Sequence, residues 1–100
     1  VVDALDARRR WPHLVVVSIT PFGRGGPYDR RPATEFTVQA ESGSIGMRGR
    51  PDQEPFQAGG RITDWTAASF AAVGALAAAW RSRRTGHGEH VDVSMLEPCR

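Results

Sequence analysis

Asp64 is the residue whose type and setting point most directly to chemistry. It follows a glycine-rich stretch ending in Gly59-Gly60 and opens an alanine-rich run. Aspartate is among the best helix N-caps, accepting from the free N–H groups of a first turn. The same position favours an ionised carboxylate, and an ionised carboxylate can serve as a covalent nucleophile. Spacing alone leaves both roles open. Gly23-Arg24-Gly25-Gly26 invites a phosphate-loop reading, but it lacks the lysine and Ser/Thr of a P-loop and does not match a dinucleotide fingerprint. Arg30 and Arg31 beside it are better placed for a phosphorylated ligand, because guanidinium groups pair bidentately with phosphate. His13, His87 and His90 make no metal set, and Cys99, the single cysteine, lacks metal-ligand spacing and cannot form an internal disulfide. Ser18, Ser42 and Cys99 have no base partner nearby in sequence, so a nucleophilic triad carries little weight. No metal site is expected.

The elements that must position these residues alternate between helix and strand. Residues 1–10 read as the tail of a helix with Leu5 as its main apolar anchor, and Pro12 should stop it. The β-branched run at 14–19 predicts a strand, and continuous apolar strands usually lie in a parallel sheet covered on both faces. Residues 21–31 are dense in turn formers and follow that strand, where open α/β sheets place their ligands. Residues 34–42 predict a short helix with Thr34 as N-cap and Phe36, Val38 and Ala40 for packing. Residues 43–60 form a glycine- and proline-rich loop of a length often associated with function.

Residues 64–84 predict a long helix. Phe70, Val73, Leu76 and Trp80 fall along one apolar stripe, while Ala71, Gly74, Ala75 and Ala78 would let another backbone approach closely. Arg81, Arg83 and Arg84 complement the C-terminal dipole, and Thr85-Gly86 supplies the stop. Val91 and Val93, with Met95, alternate with polar residues as in a half-buried strand. The predicted class is α/β: a partial Rossmann-like open parallel sheet with a long alanine-rich helix.

Every one of the 13 basic residues is arginine and the formal net charge is +2. Clusters at 8–10, 30–31 and 81–84 fit a solvated face, or a binding module for nucleic acid or anionic lipid. A basic face interleaved with aromatics is missing, as is any known nucleic-acid motif, so no nucleic-acid partner is expected. The apolar run at 70–80 is shorter than the roughly 20 residues that span a bilayer. No secretory signal pattern is present, and a cytoplasmic setting without membrane contact is expected. The lack of an initiator Met and of a closing element after the last strand reads as a slice of a longer protein.

The order of the motifs is more specific than any one of them. It runs from Leu14-Val15-Val16-Val17-Ser18-Ile19-Thr20-Pro21-Phe22-Gly23 through Gly26-Pro27-Tyr28, Arg31-Pro32, Gln39-Ala40-Glu41-Ser42-Gly43 and Gly49-Arg50-Pro51-Asp52. It ends with Asp64 opening the alanine-rich helix and Arg84-Thr85-Gly86-His87-Gly88-Glu89-His90-Val91-Asp92-Val93-Ser94. This array resembles the family III CoA-transferases of the CaiB/BaiF type, which include formyl-CoA transferases and the related α-methylacyl-CoA racemases. The resemblance implies that residues 1–100 are part of the CoA-binding, catalytic large domain, truncated at both ends. It implies a CoA transferase that moves CoA between an acyl-CoA donor and a carboxylic acid acceptor, with Asp64 as the acylated nucleophile.

By the same resemblance, Arg31, Pro32, Ala33, Thr34 and Glu35 form the CoA-contacting stretch, and Gly59 and Gly60 lie near the acyl site. Coenzyme A enters as a thioester substrate, with no permanently bound cofactor, and the full-length parent is an interlocked homodimer. The fragment alone is expected to be inactive. The racemase branch carries a catalytic histidine where this chain has Thr34. A threonine hydroxyl cannot exchange an α-proton as imidazole does, which favours transfer. Ala68 stands where family members often carry glycine, a departure expected to affect packing.

Overall fold

A computed structural model describes residues 3–99. In chain order these are α1 (Ala4–Arg10), β1 (Val16–Thr20), α2 (Glu35–Glu41), α3 (Ile62–Thr85), β2 (His90–Ser94) and a 3-10 turn at Glu97–Cys99. β1 and β2 pair in parallel, with Val16 opposite His90 and Thr20 opposite Ser94. Parallel neighbours require a crossover, and here the crossover contains both α2 and α3. The expected α/β class is what the chain forms, with a parallel sheet of two strands among the described residues.

The long helix meets the sheet through its small residues. Thr63, Ala67, Ala71, Ala78 and Ser82 are its buried positions. At Gly74 the approach is so close that a Cβ would lie 2.9 Å from Val91 Cγ1. Side chains alternate along strands, so Val91 and Val93, with Val17 and Ile19 opposite them, share the face toward α3. Ser18, His90 and Asp92 belong to the other face.

The stripe expected to pack is the one left outside. Phe70, Val73, Leu76 and Trp80 are all more than half exposed. The reason is geometric: a helix seated on glycine and alanine lies closer to its sheet than a large side chain permits, so the bulky residues turn away. By length and composition α3 is also apolar enough to cross a bilayer, which the shorter run at 70–80 did not reveal. This helix is packed on β1 and β2 through its small residues.

The C-terminal end of α3 is tied down. Gly86 adopts φ 74° and donates to the Ser82 carbonyl at 2.8 Å, the left-handed stop expected from Thr85-Gly86. Ser82 Oγ donates to the His13 carbonyl at 2.6 Å. Gly88 N–H donates to the Pro12 carbonyl at 2.7 Å, and Arg8 reaches the Gly88 carbonyl at 3.0 Å. Helix α1 ends before Pro12, as expected. The side chain of Leu5, its expected anchor, lies outside the described residues.

Candidate active site

The mouth of α3 is built from an unusual backbone. Gly60 has φ 74°, and Arg61, the residue that precedes the helix, follows it into the left-handed region at φ 54°, ψ 50°. Among the described residues Arg61 is the non-glycine with positive φ; for an L residue this carries roughly 1–2 kcal/mol of penalty. The helix therefore starts at Ile62, and Asp64 is its third residue. This corrects the expectation that Asp64 opens the helix as its N-cap. Its carboxylate instead pairs with the guanidinium of Arg61, Oδ2 to Nε at 2.6 Å, and is 38% exposed.

Capping comes from another helix. Glu35 Oε1 accepts the Thr63 N–H at 3.0 Å, and its other oxygen accepts the Thr63 hydroxyl in a very short hydrogen bond. Thr63 is fully buried. Burial opposes ionisation of Glu35. The Thr63 hydroxyl and N–H, the Gln39 amide and the charge of Arg61 together outweigh it and hold the carboxyl below the usual glutamate range. One end of α2 thus supplies the anion that satisfies the first turn of α3.

Behind Glu35 stands Gln39, fully buried, with its amide saturated. Its nitrogen donates to Glu35 Oε1 at 2.7 Å and to the Ala58 carbonyl at 3.0 Å. Its oxygen accepts from the Ala58 N–H at 2.8 Å and from Arg48 at 3.1 Å. An amide offers two donors and an acceptor with two lone pairs, so every capacity is used. Gln39 clamps the loop just before Gly59-Gly60 and steadies Glu35 in the same contact. α2 itself begins as expected: Thr34 accepts the Thr37 N–H, and Thr37 reciprocates to the Thr34 backbone. Of its three expected packing residues, Val38 is buried, whereas Phe36 and Ala40 are exposed.

Asp64 forms part of the wall of two hollows. One, of about 240 Å³, is lined by Pro21, Ala33, Thr34, Glu35, Val38, Arg61, Thr63, Asp64 and Met95. It lies beyond the carboxyl ends of both strands, where open α/β sheets place ligands. The other, of about 350 Å³, is lined by Gly60, Arg61, Asp64, Trp65 and Ala68.

Three of the five residues expected to contact CoA, Ala33, Thr34 and Glu35, therefore share a cleft with Asp64. Pro32 and Arg31 do not line it. The Arg31 guanidinium sits 5.6 Å from the Phe22 ring and 5.3 Å from the Tyr28 ring, and pairs with Glu41 at 2.7 Å. Gly60 lines the second hollow, while Gly59 is absent from both linings.

Arg61, Thr63 and Gln39 were not singled out as site residues from the sequence. The Gly59-Gly60 pair before Arg61 was the available sign of a left-handed entry. Nothing in local spacing announces that Glu35 would cap a helix 28 residues away.

The remaining reactive side chains are placed otherwise. Ser18 Oγ lies 2.7 Å from His90 Nε2 across the two strands, a partner that sequence distance concealed. Asp92 accepts the Arg24 N–H at 2.8 Å, tying the glycine-rich turn to β2. Burial and the charge of Glu35 raise the Cys99 thiol despite Arg48, the opposite of what a thiolate nucleophile requires. Among the described residues, no three His, Cys, Asp or Glu side chains converge to hold a metal.

The sequence model of CoA-transferase family III matches residues 2–100. The succinate–glutarate CoA-transferase of Agrobacterium fabrum is 34% identical over 86 residues, covering 86% of this chain and 22% of that protein. The acetyl-CoA:oxalate CoA-transferase of Acetobacter aceti is 38% identical over 87 residues, covering 86% of this chain and 22% of its own length. A CaiB/BaiF family protein from Brucella suis superposes with a TM-score of 0.91 at 30% identity, covering 98% of this chain and 26% of that one. The chain thus spans about a fifth of the length of the curated relatives it matches.

Proposed function

Because this chain belongs to CoA-transferase family III, we propose that it is part of the large domain of a longer enzyme that moves CoA from an acyl-CoA to a carboxylic acid, with Asp64 as nucleophile. The observation that carries this reading is the placement of Asp64. Its carboxylate is accessible, sits in the first turn of α3 and shares a cleft with Ala33, Thr34 and Glu35.

An Asp64 oxygen attacks the thioester carbonyl carbon; the C–S bond breaks, and the CoA thiolate leaves with the electron pair. The product on the enzyme is a mixed anhydride. Thiolate then attacks the Asp64 carbonyl carbon, the anhydride C–O bond breaks, and the donor acid departs as its carboxylate, leaving an aspartyl-CoA thioester. The acceptor carboxylate runs the same two exchanges in reverse and restores the free aspartate. Each step exchanges one acyl bond for another, which is how covalent catalysis divides a difficult transfer. The partial positive charge of the helix mouth favours the anionic carboxylate and the oxyanions formed from it.

Pro21, Ala33, Thr34 and the backbone near Glu35 form the protein wall for the thioester end of CoA, which enters as substrate. Glu35 does so indirectly, since its oxygens are committed to Thr63 and Gln39. Arg31 serves as a stacked cation at the edge of this region. Thr34 opposes the racemase reading on two counts: its hydroxyl is no base at neutral pH, and it is occupied in capping α2. The full-length protein is proposed to act as an interlocked homodimer in the cytoplasm.

Full-length protein incubated with acyl-CoA and hydroxylamine should yield a hydroxamate at Asp64, detected by mass spectrometry. Asp64→Ala should abolish both hydroxamate and turnover. Wild-type turnover by that variant would remove the assignment.

A further inference from the structure

Arg61 is the cation common to both hollows beside Asp64. It lines each of them, and its side chain is 77% exposed, so it can change partners without unpacking anything. Its left-handed backbone is retained against an intrinsic preference that glycine would satisfy at no cost. Among the described residues the guanidinium pairs with the Asp64 carboxylate, Nε to Oδ2 at 2.6 Å, while Glu35, which feels its charge, has its oxygens committed to Thr63 and Gln39.

We propose that Arg61 is the receptor for the carboxylate of the acid substrate, made available each time Asp64 is acylated. This rests on the aspartyl reading above. The reasoning is a count of charges. While Asp64 is a free carboxylate it neutralises Arg61. Once its oxygen is bonded to an acyl carbon, or replaced by the CoA sulfur, that negative charge is gone and the guanidinium has lost its ion-pair partner, Glu35 being held by Thr63 and Gln39. At the aspartyl-CoA stage a free carboxylate, either the departing donor acid or the arriving acceptor, must lie within reach of the Asp64 carbonyl carbon.

The hollow formed by Gly60, Arg61, Asp64, Trp65 and Ala68 presents Arg61 at that place. The hollow lined by Ala33, Thr34 and Glu35 is left to the thioester. Arg61 thus binds enzyme carboxylate and substrate carboxylate in alternation, and the acceptor acid is admitted only when the nucleophile already carries CoA. Guanidinium is suited to both partners, since its donors match a planar carboxylate.

The test compares Arg61→Gln, Arg61→Lys and Arg61→Gly in the full-length protein. It measures KM for acyl-CoA and for the acceptor acid separately, with hydroxamate trapping at Asp64 from acyl-CoA alone. Arg61→Gln should raise the acceptor KM about tenfold, the scale of losing one charge-assisted hydrogen bond, while hydroxamate still forms. Arg61→Lys, which keeps the charge and the same backbone cost, should recover most of the loss. Arg61→Gly should raise Tm by relieving the backbone and still show the raised acceptor KM, a combination that a purely structural arginine does not produce.

An unchanged acceptor KM in Arg61→Gln and Arg61→Gly overturns the proposal, as does an equal rise in both KM values or a lysine variant no better than glutamine. Absence of hydroxamate in the wild-type protein removes the aspartyl reading and this proposal with it. Hydroxamate with an unaltered acceptor KM removes this proposal alone.

Discussion

Replacing Gln39 should unfasten the active-site loop, and two substitutions separate the ways it can do so. Gln39→Ala removes four hydrogen bonds at once: two to the Ala58 backbone, one to Glu35 and one from Arg48. Neutral bonds contribute about 1 kcal/mol each and those to charged groups at least about 1.5, which sums to about 5 kcal/mol. Ala58 and Arg48 are only half-buried, so water recovers part of this and the expected loss is about 3 kcal/mol.

Gln39→Glu keeps the shape and both accepted bonds but cannot donate, and it sets a second carboxylate against Glu35 at the 2.7 Å contact. The introduced acid is disfavoured in the folded state, so its folded pKa is raised. Its destabilisation is present above that pKa and fades as pH falls toward the carboxylate range. Urea unfolding of the full-length protein reads both effects, and hydrogen exchange at the Ala58 amide should accelerate in Gln39→Ala, which loses its acceptor. If either variant stays within about 0.5 kcal/mol of wild type at neutral pH, or Ala58 exchange is unchanged in Gln39→Ala, the clamp does not exist as described.

Glu35 is held below its ordinary pKa, so its contribution to stability is present above that ordinary value and is lost as pH falls through the lowered one. Glu35→Gln should be less stable near neutrality and show a shallower loss of Tm in acid; an acid limb identical to wild type would contradict this. Thr63→Val should cost about 1.5–3 kcal/mol by withdrawing the buried hydroxyl from the Glu35 carboxylate and raise the onset of acid unfolding, both measurable by urea titration. Gly88→Ala should be severely destabilising, since its Cβ would collide with the Leu14 carbonyl, which is backbone and cannot step aside; soluble yield and Tm near wild type would refute that.

The sequence carried the α/β rhythm because its signals are local. The β-branched run before Thr20, the Thr34 cap and the Gly86 stop each act within a few residues, and each appears where its chemistry requires. The helix face was harder to assign. Phe70, Val73, Leu76 and Trp80 have the spacing of a buried stripe, yet the sheet selects the smaller face through Gly74 and Val91. The small residues announced a close approach; which stripe won depends on a contact between elements.

Asp64 was legible by type and position, its ion pair with Arg61 was not, because a left-handed arginine ahead of a helix contradicts ordinary backbone preference. Gln39 was visible only as part of a motif. Its partners, Ala58 and Arg48, lie in the loop that sequence pattern could label but not fold.

The spans of these contacts imply an order of assembly. Gln39 meets Ala58 across 19 residues and Glu35 meets Thr63 across 28, whereas Ser18 meets His90 across 72. Shorter closures sacrifice less chain freedom and form sooner. As the chain leaves the ribosome, the cradle around Asp64 can therefore take shape while β1 still waits for the strand it will lie beside.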